Sequence, residues 1–290
     1  MLKIGFADYY LENWHCSNYP QFLRQAIAEG GYGAAVTHAY GMHNSPGGVT
    51  NSEWCEKHEV KECKSMEELV DSVDAVMVIA ADDSTTHEEV SRLPLSSGKP
   101  CFVDKTFAYD LAAAKRMVSL AEAHGTPVFS SSALRYCSDI AKFKKDFPGR
   151  PVFVSTVGPH SLDRYAVHQL DPIEELMGSG IKRIKAFGAG DGVTQLILDY
   201  GGGRWASFMQ TPQPWAEFNF MATQDGCGMN GRRLASVDSD YYPNLMRRIL
   251  DFFFTGVSPV DIRETLEIVA VIETARKARL DPDVWYDIEV

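Results

Sequence analysis

Between residues 73 and 136 the chain alternates short apolar runs with amphipathic ones, and no other feature constrains its fold as tightly. Residues 75–80 (AVMVIA) are a continuous apolar run of strand length, the pattern of a strand buried on both faces. Residues 87–95 read as a short helix, opened by Ser84, Thr85 and Thr86, whose hydroxyls can cap free amides. Gly98, Lys99 and Pro100 turn the chain into a second apolar run at 101–103, which stops at Asp104, Lys105 and Thr106. A helix over 110–123 carries Leu111, Ala114, Met117, Val118 and Ala121 at helical spacing, and a third strand starts at Val128. Strands and helices alternating over such short connections make a parallel sheet with right-handed crossovers.

In such a sheet, ligands bind beyond the carboxyl ends of the strands. Ala80 and Ala81 fall at the end of one strand, and Asp104 and Lys105 at the end of the next. These four residues are therefore expected to line a ligand cleft.

Upstream lies another strand–helix–strand unit, with a strand at 3–7, a loop at 8–17, a helix at 19–28 and a second strand at 33–37. A dinucleotide-binding chain carries three glycines after the first strand. Here those places fall near Asp8, Tyr10 and Asn13. A tyrosine at the second place blocks the backbone's approach to a diphosphate, and an aspartate at the first sets a carboxylate where the diphosphate would lie. On this reading, glycine at positions 8 and 10 would tighten nucleotide binding. The acidic residue that would meet a ribose hydroxyl is missing near His38.

The pattern changes at about Pro151. A half-buried strand at 151–157 precedes a segment, 160–178, that is helical over its later part. Candidate strands at 181–188, 192–199, 204–211 and 217–223 then follow one another, joined by GAGDG, YGGG and TPQP. Consecutive strands on short connections form an antiparallel sheet, and GAGDG between strands reads as a hairpin turn. Helices at 242–254 and 260–277 close the chain. The fold class is thus α/β. A Rossmann-like parallel-sheet domain over 1–130 is followed by an α+β domain over 131–290 with an open, mostly antiparallel sheet. Phe187, Leu196, Trp205, Phe208, Trp215, Phe218 and Phe220 spread over more than one alternating set, which predicts a homo-oligomer through that sheet.

A net charge of -11 over 290 residues argues against a nucleic-acid or anionic-membrane partner. The N-terminus enters a strand-like run directly, so the expectation is a cytoplasmic protein without a secretory leader. The six cysteines are scattered without metal-ligand spacing, and no metal site is expected.

The order of elements, together with VDAVMVIAADDSTTHEEV, GKPCFVDKTFAYDLAAAKRMVSLAEAHG, HQLDPIEELMG and SPVDIRETLEIVAVIETARKA, resembles the Gfo/Idh/MocA family of NAD(P)-dependent sugar and polyol oxidoreductases. The family's Glu-Lys-Pro motif corresponds to Asp104-Lys105-Thr106, and its Asp-x-x-x-His histidine to His168. The aspartate of that pattern falls on Arg164, with Asp163 one residue earlier. The resemblance implies Lys105, His168 and Asp163 as catalytic candidates. It further implies NAD or NADP bound by Asp8, Tyr10, His38, Ala80, Ala81, Asp104 and Lys105. The alternative is a diverged member that binds a small sugar-like ligand, or acts as a subunit, without a nicotinamide cofactor.

Overall fold

The computed structural model describes residues 1–80, 83–146, 149–188, 192–214, 217–224, 228–233 and 240–290. Among these, the chain runs β1 (Leu2–Tyr10), α1 (Trp14–Gly30), β2 (Ala34–His43), α2 (Asn51–His58), β3 (Lys61–Glu62), α3 (Met66–Ser72), β4 (Ala75–Val78), α4 (His87–Leu95), β5 (Cys101–Val103), α5 (Leu111–His124) and β6 (Val128–Phe129). A single 3-10 turn, Ala133–Tyr136, leads into α6 (Ser138–Asp146), β7 (Phe153–Gly158), α7 (Leu162–Tyr165), α8 (Val167–Met177), β8 (Arg183–Phe187), β9 (Thr194–Gly201), β10 (Arg204–Gln210), β11 (Asn219–Gln224) and β12 (Gly228–Arg233). Helices α9 (Tyr241–Thr255) and α10 (Ile262–Ala278) and the short strand β13 (Trp285–Asp287) complete it. Two compact units result: Met1–Ser131 with Leu245–Ile262, and Ser132–Asn244 with Arg263–Val290.

The first unit holds a parallel six-stranded sheet in the order β3-β2-β1-β4-β5-β6. Its central strands are sealed: Ile4, Phe6, Val76, Met77, Val78, Phe102 and Val103 have no exposed surface. Gly5 explains how tightly α3 closes on β1, since a Cβ there would sit 2.9 Å from Leu69 Cδ1. From Leu245 onward α9 belongs to this unit, and Phe252 meets the edge of Phe129 at 5.6 Å between ring centroids.

Two boundaries differ from the sequence reading. β1 continues to Tyr10 and α1 starts at Trp14, so the connecting loop is only residues 11–13. Tyr9 and Tyr10 favour extended backbone, and Asn13 accepts from Cys16 N at 2.9 Å, starting the helix well before residue 19. β2 likewise runs on to His43, paired with Tyr10, so His38 sits within the strand opposite Gly5 rather than at its end. Helix α2 was hidden in a polar stretch, yet it opens with a complete capping box between Thr50 and Glu53.

The second unit holds a sheet in the order β12-β11-β7-β10-β9-β8-β13. It is mixed: β10 pairs parallel with β7, and the other pairs are antiparallel. Ile184, Leu196, Leu198, Phe208 and Phe220 share one buried face, packed with Leu170 and Ile173 of α8 and Val271 and Ile272 of α10. Leu196, Phe208 and Phe220 thus belong to the core. On the other face Phe187, Met209 and Met221 are exposed, beside Arg183, which stacks its guanidinium 4.5 Å from the Trp285 ring. Trp215 and residues 189–191 of GAGDG lie outside the described residues. No helix among the described residues is long and apolar enough to cross a membrane, and no group of His, Cys, Asp or Glu among them could hold a metal ion.

Candidate active site

In the first unit, the carboxyl ends of β1, β4 and β5 converge. β4 stops pairing with β1 at Val78, opposite Ala7, and the chain turns at Ala80, whose φ of 37 is left-handed. Beside this turn a cavity of about 410 Å3 opens, lined by Asp8, Tyr9, Tyr10, Glu12, Asn13, Ala80, Asp83, Thr85 and Thr86. Of the expected cofactor residues, the structure brings Asp8, Tyr10 and Ala80 to this cavity; His38, Asp104 and Lys105 are not among its lining. Ala81 lies outside the described residues.

Asp8 is not the obstacle that its position suggested. Its side chain is turned inward and 1% exposed. Oδ1 accepts from Tyr10 N at 3.1 Å, and Oδ2 accepts from Asn13 Nδ2 at 2.7 Å and Cys16 Sγ at 3.0 Å. The carboxylate therefore ties the end of β1 to the first turn of α1, so Asp8→Gly is expected to unpin this loop rather than to clear it. Burial pushes its pKa up to about 6, against the pull of Cys16, Asn13, Tyr10 and the Ala80 backbone. A carboxyl raised in the fold contributes stability that is complete below pH 3.8 and is lost as pH rises through about 6. Asp8→Asn, which cannot ionise, should therefore gain on the parent by up to about 3 kcal/mol between pH 4 and pH 8 in thermal unfolding, whatever its offset at pH 4. Parallel pH profiles for the two proteins would contradict this.

Asp104 and Lys105 follow β5. Both are buried, Asp104 completely and Lys105 to 8% exposure. Asp104 Oδ2 accepts from His15 Nδ1 at 2.5 Å, and Oδ1 accepts from Tyr19 Oη at 3.3 Å. The His15 ring stacks on Tyr19 at 4.8 Å. Burial works to raise the Asp104 pKa, yet the charges of His15 and Lys105 hold the carboxyl below its ordinary range. The loops on either side are pinned by His87, which has no exposed surface: Nε2 donates to Ala80 O at 2.9 Å and Nδ1 lies 3.1 Å from Phe107 O. A buried imidazole, a carboxylate and an ammonium are thus held together at one strand end. The sequence reading missed His15 because it was placed in a loop. With the helix starting at Trp14, His15 and Tyr19 stand one turn apart, and i,i+4 spacing was the signal.

In the second unit, His168 projects from α8 with its ring against Tyr165 at 5.1 Å and Phe218 at 5.7 Å. Its Nδ1 lies 2.7 Å from Ser132 Oγ. Asp171, one turn along α8, accepts from Ser132 N, and its Oδ1 accepts from Arg135 Nη1 at 3.0 Å. Arg135 also donates to Glu175 at 2.9 Å and Glu264 at 2.5 Å. Neither Ser132 nor Arg135 stood out in the sequence; both act through partners more than thirty residues away. Asp163 lies on α7, exposed, where its Oδ1 accepts from Arg276 Nε at 2.5 Å. Lys105 belongs to the first unit and His168 to the second.

A parallel sheet with a ligand-sized cavity at its switch point defines the first unit as a Rossmann-type nucleotide-binding domain. Residues 13–132 match the family GFO_IDH_MocA, described as the oxidoreductase family with an NAD-binding Rossmann fold. That match falls almost wholly within the first unit, which is similar to the NAD-binding domain of this oxidoreductase family. Among solved structures, a probable dehydrogenase from Thermotoga maritima superposes with a TM-score of 0.80 at 15% identity, covering 99% of each chain. The myo-inositol 2-dehydrogenase from Lactobacillus plantarum gives 0.79 at 12% identity, again over 99% of each chain. GenD2 from gentamicin A biosynthesis, solved in complex with NAD, gives 0.81 at 11% identity over 100% of this chain and 97% of that one. Likeness at such identities speaks for the fold. No curated protein matches the sequence.

The cavity fits a dinucleotide in place, at the switch point of the sheet, although glycine is absent and the donors of Asn13, Thr85 and Thr86 already serve Asp8, Tyr10 O and Asp83. Each carboxylate at its wall is engaged locally: Asp8 as described, Glu12 with Val49 N at 2.7 Å, and Asp83 with Thr85 N at 2.9 Å. Asn13, Thr85 and Thr86 contribute neutral polar groups at the mouth.

Proposed function

We propose that the protein is an NAD(P)-dependent oxidoreductase acting on a sugar, polyol or related hydroxy compound. One observation carries the reading: Lys105 is buried at a strand end beside an oriented His15–Asp104 pair, within a domain similar to that of the NAD-binding family. When bound, the nicotinamide would supply the site that accepts or returns a hydride. Tyr10, Asn13, Thr85 and Thr86 would hold the dinucleotide, and the ammonium of Lys105 would hold the reacting oxygen. His168, whose Nδ1 is turned to Ser132, would exchange the hydroxyl proton at Nε2. Solved relatives in fold that act on myo-inositol or were crystallised with NAD support the same reading.

The test is direct binding. Titration with NADH and NADPH, followed by nicotinamide and protein fluorescence, should show saturable binding to at least one of them. Absence of binding to both would leave the cofactor-free alternative. That alternative is favoured by one feature, the commitment of Tyr10 N to Asp8 rather than to a ligand.

The protein is also proposed to be a homo-oligomer through the open face of the second unit's sheet. Exposed Phe187, Met209 and Met221 there interleave with Arg183 and Lys185, a mixed surface that a second copy can match. Light scattering should return a multiple of 32.2 kDa at micromolar concentration; a monomer would overturn it.

A further inference from the structure

Glu174 lies on α8, the helix that also carries His168 and Asp171. Its side chain is sealed in the second unit at 1% exposure. Neither of its carboxyl oxygens meets a hydrogen-bond donor among the described residues. Tyr200 does not relieve it, because its own buried Oη makes no hydrogen bond. The side chain within bonding reach of Glu174 is another acid, Glu267 of α10. Glu267 is buried too and is served by backbone donors. Its Oε1 accepts from Gly180 N at 2.8 Å and Ile181 N at 2.9 Å, and its Oε2 accepts from Gly180 N at 2.9 Å.

The groups around this pair do not neutralise it. Glu264 of α10 adds a third acid, which Arg135 of the 3-10 turn opposes. Arg135 is already shared among Asp171, Glu175 and Glu264. From the sheet, β9 presents Tyr200 and β10 presents Arg204, whose guanidinium lies 5.3 Å from the Tyr200 ring and donates to Met177 O at 2.6 Å. Strand β7 has no titratable side chain, Lys144 of α6 pairs with Glu175, and α7 meets α8 at its other end, beside His168.

A buried carboxylate without donors is among the costliest groups a fold can hold. Two carboxyl groups within bonding reach attract only when a proton lies between them, and repel when both are ionised. Burial first, and then Glu267, accordingly drive the Glu174 carboxyl far above its ordinary range. We propose that Glu174 and Glu267 share one proton, and that this bond is a proton-gated latch tying α8 to α10 and to the loop before β8. Release of the proton to solvent leaves two facing carboxylates, so the latch opens as pH rises. A carboxyl raised in the fold stabilises fully below its ordinary value of 4.5 and loses that contribution as pH climbs toward the folded value. The latch lies within the second unit and does not rest on the oxidoreductase reading.

Infrared difference spectroscopy of the parent against Glu174→Gln tests it. Glutamine keeps the shape of the side chain and donates to Glu267 without titrating. At pH 7 the parent should show the carbonyl band of a protonated carboxyl that Glu174→Gln lacks. In urea unfolding, the folding constant of the parent should fall relative to Glu174→Gln by up to about tenfold for each pH unit above pH 5. Amide exchange, corrected for its intrinsic pH dependence, reads the latch locally. Protection at Gly180 and Ile181 should drop with pH in the parent and hold in Glu174→Gln. Absence of the carboxyl band, or parallel pH profiles for the two proteins, would overturn the proposal. If Glu174→Gln does not fold, exchange in the parent decides: protection at those two amides that is constant from pH 5 to pH 9 overturns it.

Discussion

Lys105→Ala is expected to reduce kcat by 10^2- to 10^4-fold, about 3 to 5 kcal/mol of transition-state stabilisation, with NADH binding changed little. The size follows from the setting. Lys105 is 8% exposed, so the ammonium acts where water cannot screen it, and it sits next to a carboxylate with no exposed surface. A charge held this way stabilises an oxygen that becomes negative in the reaction far more than a surface lysine would. The substitution has a second signature. Asp104 is held below its ordinary range by His15 and by Lys105, so losing the lysine raises its pKa. The acidic limb of any residual pH–rate profile should then move to higher pH. Lys105→Arg retains the charge but spreads it over a planar fork, and it should recover little activity. Parental turnover in Lys105→Ala would remove this residue from the mechanism.

The largest loss of stability is expected from Arg135→Met. Arg135 is 5% exposed and serves Asp171, Glu175 and Glu264 at once. Without it, Asp171, itself 2% exposed, is left as a buried carboxylate without that cation. Breaking a buried ion pair from one side costs about 3 to 5 kcal/mol, a large share of a domain's whole stability. Burial already raises the Asp171 pKa despite Arg135, and the substitution raises it further. A carboxyl raised in the fold is stabilising below its unfolded pKa and loses that contribution as pH rises through the folded one. The damage should therefore be smallest near pH 4 and grow toward pH 8 in urea unfolding. Adding Asp171→Asn should recover part of the loss, because the amide oxygen still accepts from Ser132 N while the stranded charge is gone. No recovery in the double variant would show that Arg135 acts through packing alone.

The parts legible in the sequence were those written in local periodicity. Apolar runs at β4 and β5, and the stripe on α5, led directly to the parallel sheet, because a strand buried on both faces tolerates little else. Thr50 and Glu53 carried an equally local signal for α2 that the surrounding polarity concealed. The ends of β1 and β2 were misplaced for a different reason. Their last residues pair with each other, Tyr10 with His43, and a register between segments over thirty residues apart leaves no periodic trace. The same holds for the parallel pairing of β7 with β10, and for the sheet face taken by Phe208.

The site divides along the same line. Strand-end geometry placed Asp104 and Lys105 correctly in the sheet, since it depends only on where an apolar run stops. His15, 89 residues from Asp104 in sequence, meets it only once α1 has been docked. Asp8 was legible as an anomaly and misread as an intrusion. Whether a carboxylate at that place obstructs a ligand or ties a loop depends on Asn13 and Cys16 lying within reach.

The chain passes between its two units after Ser131, Asn244 and Ile262, so the nucleotide-binding unit takes its last helical segment from residues 245–262, after a 113-residue stretch of the other. Phe252 on Phe129, Asp251 on Tyr32 and Glu29 on Arg247 join it to the earlier segment. A ribosome making this protein therefore releases residues 1–131 with an unfinished hydrophobic flank, and it must add 131 more before Ile262 exists. At roughly 5–20 residues per second that interval is on the order of ten seconds. During it, Phe129 lacks its Phe252 partner, and a gene truncated at residue 131 omits the α9 segment that belongs to this unit.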